Sequence, residues 1–358
     1  MSTRPQWYAV NKQLVKKEVP IPTLAADEAL IKVKAIAFNP TDFKHVDFEI
    51  AKNSGVGCDF AGDVLEIGSA VTNVKVGESV ATFISSGNDA EPSKGAYSTI
   101  VKVKADSLIR FPRPLKESSG SSLPSDFPTT YEQAASLPCA LVTVALAYEE
   151  YNLWDISAAG SHKGYAVIYG AVSSLGFQAA QIAKHLGFTV IAIASKKHAK
   201  LLESVGITHV VDYHDKDFIE QVRKIGGDEI TFGYDAISFD ETYANIVQMV
   251  STTKPVKINL SLPGLKEPKK GANVTVDIPL AYLIEDKEKD FAGFVLKGKP
   301  NYITDRPRYI NHLSQLIADK QLKSLPVKVV GQGIDAVPAG VDAIRKGVSG
   351  EKIAIRLY

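Results

Sequence analysis

Between residues 167 and 227 the chain switches repeatedly between two hydrophobic periods, and few folds accommodate that. The short apolar runs VIYG (167–170), TVIAIA (189–194) and HVVD (209–212) are each followed by residues at helical spacing: LGFQAAQIAKHLG, KKHAKLLESVG and KDFIEQVRKIGG. Unbroken apolar strands separated by amphipathic helices describe a parallel sheet covered on both faces. The rhythm continues through ITFGYDAI (230–237) and KPVKINL (254–260) to about DFAGFVL (290–296). The expected class is α/β, with a doubly wound sheet in this part of the chain.

Upstream the pattern differs. ALIKVKAIA (29–37) alternates apolar residues with lysine at period two, and DVLEI (63–67) runs into Gly68 as a strand runs into a turn. Short strands and glycine turns continue to residue 111, after which the polar LKESSGSSLPSDFPTTY (115–131) reads as a surface excursion near a domain boundary. A helix over about 303–321 is followed by strand-like LPVKVV, helix-like VPAGVDAIRKG and a terminal strand in EKIAIRLY. A chain of 358 residues exceeds most single cores, so two domains are expected.

Charge and cysteine content exclude several classes. With 41 basic against 40 acidic side chains, nothing favours nucleic acid or an anionic membrane as partner. Two cysteines, Cys58 and Cys139, build neither a disulfide framework nor a four-cysteine zinc lobe, which points to a reducing compartment. The amino terminus lacks the apolar core of a signal peptide and no apolar run approaches a membrane span, so the expected location is the cytoplasm.

The turn after VIYG carries the first chemical signal. Gly170, Ala171, Ser173, Ser174, Leu175 and Gly176 form a relaxed version of the small-residue turn at which a helix begins and its free amides and dipole meet a pyrophosphate. Serine at position 173 costs some room and offers a hydroxyl. After TVIAIA, a site for NAD would place a carboxylate on the ribose hydroxyls. Here Ala194 leaves the space open, and Ser195, Lys196, Lys197 and His198 offer hydroxyl and cationic groups to a 2′-phosphate. NADPH is therefore the expected cofactor. The plain alternative is a solvated first helical turn.

Several motifs resemble the medium-chain dehydrogenase/reductase superfamily in family order: NPTDFK (39–44), GCDFAGDVLEIGSAVTNVKVGESV (57–80), SLPCALVTVALA (136–147), the dinucleotide turn and GVSGEKIAIRL (347–357). That resemblance implies a β-rich GroES-like catalytic domain from residues 1–130 and 301–358, with a Rossmann coenzyme domain, 131–300, inserted. Zinc-dependent relatives hold their metal with a cysteine, a histidine in Gly-His-Glu and a third ligand; here Asn39, Cys58 and Cys139 fall at or near those positions. Asparagine is a poor zinc ligand. A site from Cys58, Cys139 and Asp59 is conceivable, but small buried packing is the better reading, and no metal is expected.

Without zinc, the chain is most similar to the quinone oxidoreductase and enoyl reductase branches, especially fungal trans-enoyl reductases and yeast enal or aldehyde reductases. By that resemblance Thr41, Asp42, Phe43 and Lys44 line the nicotinamide side, Tyr213 packs near the adenosine phosphate, and Leu260 lies near the nicotinamide. Lys44, Thr143 and Asn39 are the implied donors to a substrate oxygen that gains negative charge. Lys44, Thr143 and Tyr213 have structural alternatives, a surface cation, a helix-start hydroxyl and a half-buried ring, and Asp42 and Asp59 equally suit the fixing of local turns. The implied activity is NADPH-dependent reduction of an α,β-unsaturated carbonyl or a quinone. Aldehyde reduction, and a nucleotide-binding protein without turnover, are the alternatives. The expected partner is a small-molecule substrate, its pocket shaped by FISSGNDAEPSKGAY (83–97) and residues 261–290, and the expected state is a monomer or homodimer.

Overall fold

The computed structural model describes residues 2–150, 162–263, 271–285, 287–291 and 293–358. The chain forms two compact units, one from Met1–Val142 with Ala281–Tyr358, the other from Thr143–Leu280.

In the amino-terminal part the order is β1 (Thr3–Val10), β2 (Gln13–Pro20), β3 (Glu28–Phe38), α1 (Pro40–Asp47), β4 (Asn53–Gly55), β5 (Asp59–Ile67), β6 (Ser79–Phe83), β7 (Ile100–Lys104), β8 (Ile109–Arg110), β9 (Ser122–Leu123), α2 (Tyr131–Ala135) and α3 (Pro138–Glu150). The middle follows as β10 (Tyr165–Tyr169), α4 (Ser174–Leu186), β11 (Thr189–Ile193), α5 (Ala199–Glu203), β12 (His209–Val211), α6 (Phe218–Gly226), β13 (Ile230–Asp235), α7 (Asp240–Met249), β14 (Val256–Leu260) and β15 (Val274–Asp277). The chain then returns through β16 (Lys289–Phe291), β17 (Phe294–Leu296), α8 (Pro300–Thr304), α9 (Arg306–Ala318), β18 (Val327–Gln332), α10 (Val337–Arg345) and β19 (Lys352–Arg356).

The first unit is built on an eight-stranded sheet in the order β8-β6-β5-β3-β19-β18-β9, with β7 also on β3. The carboxy-terminal strand β19 pairs antiparallel with β3, Ile353 opposite Phe38 and Arg356 opposite Ala35. One face buries Ile31, Val33, Ile36, Phe60 and Ile355. The other is a lawn of alanines, Ala35, Ala37, Ala61, Ala81 and Ala354, against which α2 lays Tyr131, Ala134 and Ala135. Small side chains let the helix approach closely, so residues 131–142 pack with this unit, although the family resemblance implies that they belong to the coenzyme domain. Residues 281–300 join it as well.

The second unit is a six-stranded parallel sheet, β12-β11-β10-β13-β14-β15. Its strand order reverses beside β10, the switch point at which doubly wound sheets take ligands at their carboxyl ends. The core is aliphatic, including Val167, Ile191, Ile193, Ile246 and Ile258.

Two expectations need correction, and a third gains detail. The sixth parallel strand is VTVD (274–277); DFAGFVL instead belongs to an antiparallel hairpin, β16–β17, in the first unit, turning at Gly293 with φ +87°. An apolar run of that length does not say which sheet takes it. Ala292 within it, and residues 264–270 and 286 of the expected pocket loops, lie outside the described residues. The polar stretch 115–131 contributes an edge strand, Ser122–Leu123 on Lys328–Val327, where one side remains free for polar groups. The expected helix at 303–321 is two, α8 and α9, divided at Asp305 because Pro307 lacks the amide a continuous helix needs. No helix among the described residues is long and apolar enough to cross a membrane.

Candidate functional site

In the second unit the dinucleotide turn is fixed by serine. Strand β10 ends in Gly170, with φ +71°, and Ser173 caps α4: its Oγ accepts from the Gly176 amide at 3.0 Å. A Cβ on Gly176 would stand 2.2 Å from the Gly170 carbonyl oxygen, so glycine is required where the helix leaves the strand. The amides of Gly170 and Ala171 donate to the Ile193 carbonyl at 3.0 and 3.2 Å. Among the described residues this leaves the amides of Val172 in the turn and of Ser174 and Leu175 in the first turn of α4 open to an anion. Ser173 thus occupies the middle-glycine position as a cap.

At the end of β11, Ala194 is buried and Lys196–His198 form a single 3-10 turn. The carboxylate missing there is supplied one strand further on, to a different end. Asp212, just past β12, accepts from the Lys196 amide at 2.9 Å, the His214 amide at 3.0 Å and His214 Nδ1 at 2.6 Å. Those backbone amides hold its carboxyl down to about 2, so it shapes the turn as an anion. Lys196, expected on a 2′-phosphate, extends to Asp215 at 2.8 Å, while Lys197 is exposed. Burial and the Lys197 charge lower the pKa of His198, which leaves the positive charge at neutral pH to the two lysines. Tyr213, 44% exposed, packs on His214 with centroids 4.1 Å apart and the rings tilted by 34°.

Sequence reasoning missed a knot at the carboxyl edge of this sheet. Asp235 accepts from the amides of Ile237 and Ser238 and from Thr242 Oγ1 at 2.7 Å, and the Ser261 amide donates to Ser238 Oγ at 2.7 Å. It ties the loop after β13 to the residue following Leu260, which is itself buried at the end of β14. Thr143, on α3, is 5% exposed.

In the first unit the NPTDFK motif forms the start of α1, and two buried polar clusters lie around it. Pro40 opens the helix, and the Asn39 amide donates to Asp42 Oδ2 at 2.7 Å. The Asn39 side chain serves elsewhere: its Nδ2 donates to Asp59 Oδ2 at 2.8 Å and its Oδ1 accepts from Lys352 Nζ at 2.7 Å. Asp59 Oδ1 accepts the Cys139 amide at 2.7 Å, and Lys352 stands 3.6 Å from Asp59. Asn39, expected as a donor to substrate, is thus committed to a buried ion pair. Lys44, by contrast, is half-buried and makes no ion pair among the described residues, and Phe43 is half-buried beside Arg345.

The second cluster was invisible in the sequence. Lys289, 2% exposed, donates to the Ser86 carbonyl and sits 2.9 Å from His45 Nε2, with its ammonium 4.3 Å from the centre of the Tyr282 ring. Burial lowers its pKa to about 8. Cys58 Sγ lies 3.4 Å from Ser86 Oγ and 3.7 Å from the Tyr282 hydroxyl, which is 2.6 Å from Thr41 Oγ1. Ligand atoms of Asp42, His45 and Cys58 fall within 4.8 Å of one another. An ammonium already adjoins His45 there, and burial raises the pKa of the Cys58 thiol. Lys289 stands in an EDKEKD run that reads as solvated charge, and only the tertiary fold shows it to be interior.

Residues 25–113 match the alcohol dehydrogenase GroES-like domain family and residues 174–310 the zinc-binding dehydrogenase family. An uncharacterized protein of Saccharomyces cerevisiae is 31% identical over 96% of this chain and 94% of its own. A trans-enoyl reductase of Aspergillus sclerotiorum is 28% identical over 94% of this chain and 95% of its own. In fold, the chain resembles the crystal structure of an alcohol dehydrogenase superfamily protein from Novosphingobium aromaticivorans, with a TM-score of 0.78 at 18% identity and full coverage of both chains.

One consequence is measurable in stability. Burial raises the Asp42 carboxyl from 3.8 to about 6, with the Asp59 charge adding and the Asn39 amide opposing. A carboxyl raised in the folded state favours folding at low pH, and that contribution is lost as pH rises through about 6. Asp42→Asn keeps an acceptor for the Asn39 amide and removes the charge. Its stability relative to the native protein should rise between pH 5 and pH 8, by about 1.5 kcal/mol, in denaturant titrations. A difference independent of pH would contradict the assignment.

Proposed function

Because the chain belongs to the medium-chain dehydrogenase/reductase superfamily, in its enoyl-reductase-like branch, we propose that it is a zinc-independent reductase that uses NADPH to reduce a conjugated carbon–carbon double bond beside a carbonyl, or a quinone. The observation that carries this reading is the end-to-end likeness to a trans-enoyl reductase. When bound, NADPH supplies hydride to the β carbon of the conjugated system.

The chain's own residues have three tasks. The first is to hold the cofactor: Gly170, Ala171 and Gly176 leave room for it, the Ser174 and Leu175 amides face its pyrophosphate, and Lys197, with Lys196 once released from Asp215, meets the 2′-phosphate. Tyr213 offers an aromatic face to the adenosine end. The second is to steady the oxygen that becomes negative as hydride arrives, a role we assign to Lys44 and Thr143. Asn39 and Asp42 fix the first turn of α1, the helix that carries Lys44. The third is to keep a metal unnecessary. At the positions where zinc ligands would stand, Asn39 has both polar atoms of its amide engaged and Lys352 brings a positive charge, which supports zinc independence.

Titrating both reduced cofactors tests the nucleotide choice. NADPH should bind more tightly, and replacing Lys196 and Lys197 together by alanine should weaken NADPH by about a hundredfold or more while sparing NADH, since each charge-assisted contact contributes about 1.5–3 kcal/mol. Tighter binding of NADH by the native protein would refute it.

For the reaction, a panel of enals, enones, quinones and saturated aldehydes should show NADPH oxidation that survives chelation. Thr143→Val and Lys44→Met should each lower enal turnover by about a hundred- to a thousandfold. Rates within a fewfold of native, with NADPH binding intact, would remove those residues from the site.

A further inference from the structure

A file of hydrogen-bonding groups leads from the interior of the first unit to α1. Ser86 Oγ and Cys58 Sγ are 3.4 Å apart, Cys58 Sγ and the Tyr282 hydroxyl 3.7 Å, and the Tyr282 hydroxyl and Thr41 Oγ1 2.6 Å. Ser86 and Cys58 are fully buried, Tyr282 is 9% exposed, and Thr41 is half-buried, so the file opens outward at Thr41. The tyrosine ring is clamped edge-on by His45 and Phe83 and packs against Phe291, with the Lys289 ammonium over its face. Nothing in the packing of an apolar core needs a phenol at that place.

We propose that Tyr282 is a positioning residue for reduction: its phenol donates to Thr41 Oγ1, so that the Thr41 hydrogen points away from the protein interior and is free to donate to the substrate oxygen. The proposal rests on the reductase reading above. A phenol is a stronger acid than an aliphatic alcohol, so in a Tyr–Thr pair it is the better donor. Burial keeps that phenol neutral and therefore a donor, and it likewise keeps the Cys58 thiol protonated and able to donate to the phenol oxygen. Donors that point the same way along a chain polarise one another, so the last hydroxyl is a stronger donor than an isolated threonine. Hydride adds to the β carbon with its electron pair, the double-bond electrons shift through the α carbon to the carbonyl oxygen, and Thr41 stabilises the resulting enolate. Water then protonates the α carbon, which completes the saturated carbonyl and leaves hydroxide to the buffer.

Tyr282→Phe retains the ring contacts and deletes only the donor. Measured with an enal that the native protein reduces, kcat should fall by about ten- to a hundredfold, with KM and NADPH affinity within twofold. In a Thr41→Val background the same change should have no further effect, because the two hydroxyls act as one unit. Affinity for 4-nitrophenolate in the presence of NADP+, an oxyanion probe that needs no turnover, should fall with kcat. A merely structural role would lower the unfolding midpoint and leave phenolate affinity and the double-variant pattern untouched, and that result would overturn the proposal. So would kcat within twofold of native for Tyr282→Phe. If the native protein reduces no conjugated carbonyl, the reductase reading itself fails and this inference with it; if the native protein turns over and only Tyr282→Phe is silent, the reading stands and the inference alone falls.

Discussion

The first unit converges on one buried carboxylate. Asp59 opens β5, and around it meet the side chain of Asn39 from the end of β3, the backbone amide of Cys139 at the start of α3 and the ammonium of Lys352 from β19. A charge with no exposure persists only if it is paired and its oxygens are satisfied. Asp59 therefore requires residues separated by more than three hundred positions to arrive together. That requirement explains why the carboxy-terminal strand returns to the middle of the amino-terminal sheet, and it fixes the residue from which α1 begins.

From this anchor the remaining polar interior follows. With Asn39 held by its side chain, the first turn of α1 relies on Asp42 for its cap, and that places a second carboxyl in the interior, beside the Tyr97 hydroxyl. One turn on, His45 meets Lys289. The unit therefore carries two buried ammonium groups, Lys352 beside Asn39 and Asp59 and Lys289 beside His45. Fixed cations on rigid elements supply positive potential without a metal's demand for deprotonated ligands.

The doubly wound sheet was legible because its signal is local: strands β10 to β14 and their helices announce themselves by period. Serine at 173 was legible as part of a phosphate turn, but its role as a helix cap was not, because capping depends on which amide its oxygen meets. Lys196 showed its charge and hid its partner, Asp215, which lies beyond the next strand. Lys289, Tyr282 and Lys352 were the least legible. Each owes its role to a contact across roughly two hundred residues or more, and in sequence each stands among charged or apolar neighbours typical of surface or core. DFAGFVL failed for a related reason, since an apolar run states that it pairs and leaves its partner open.

The proposed reaction delivers hydride to the β carbon of a conjugated carbonyl. It is tested most directly by carrying out the reaction with NADPH deuterated on the transferring face of its nicotinamide and locating the label in the product by NMR. The account predicts a saturated carbonyl compound with deuterium at the β carbon and hydrogen from water at the α carbon. Deuterium on the former carbonyl carbon of an alcohol that retains its double bond would contradict it.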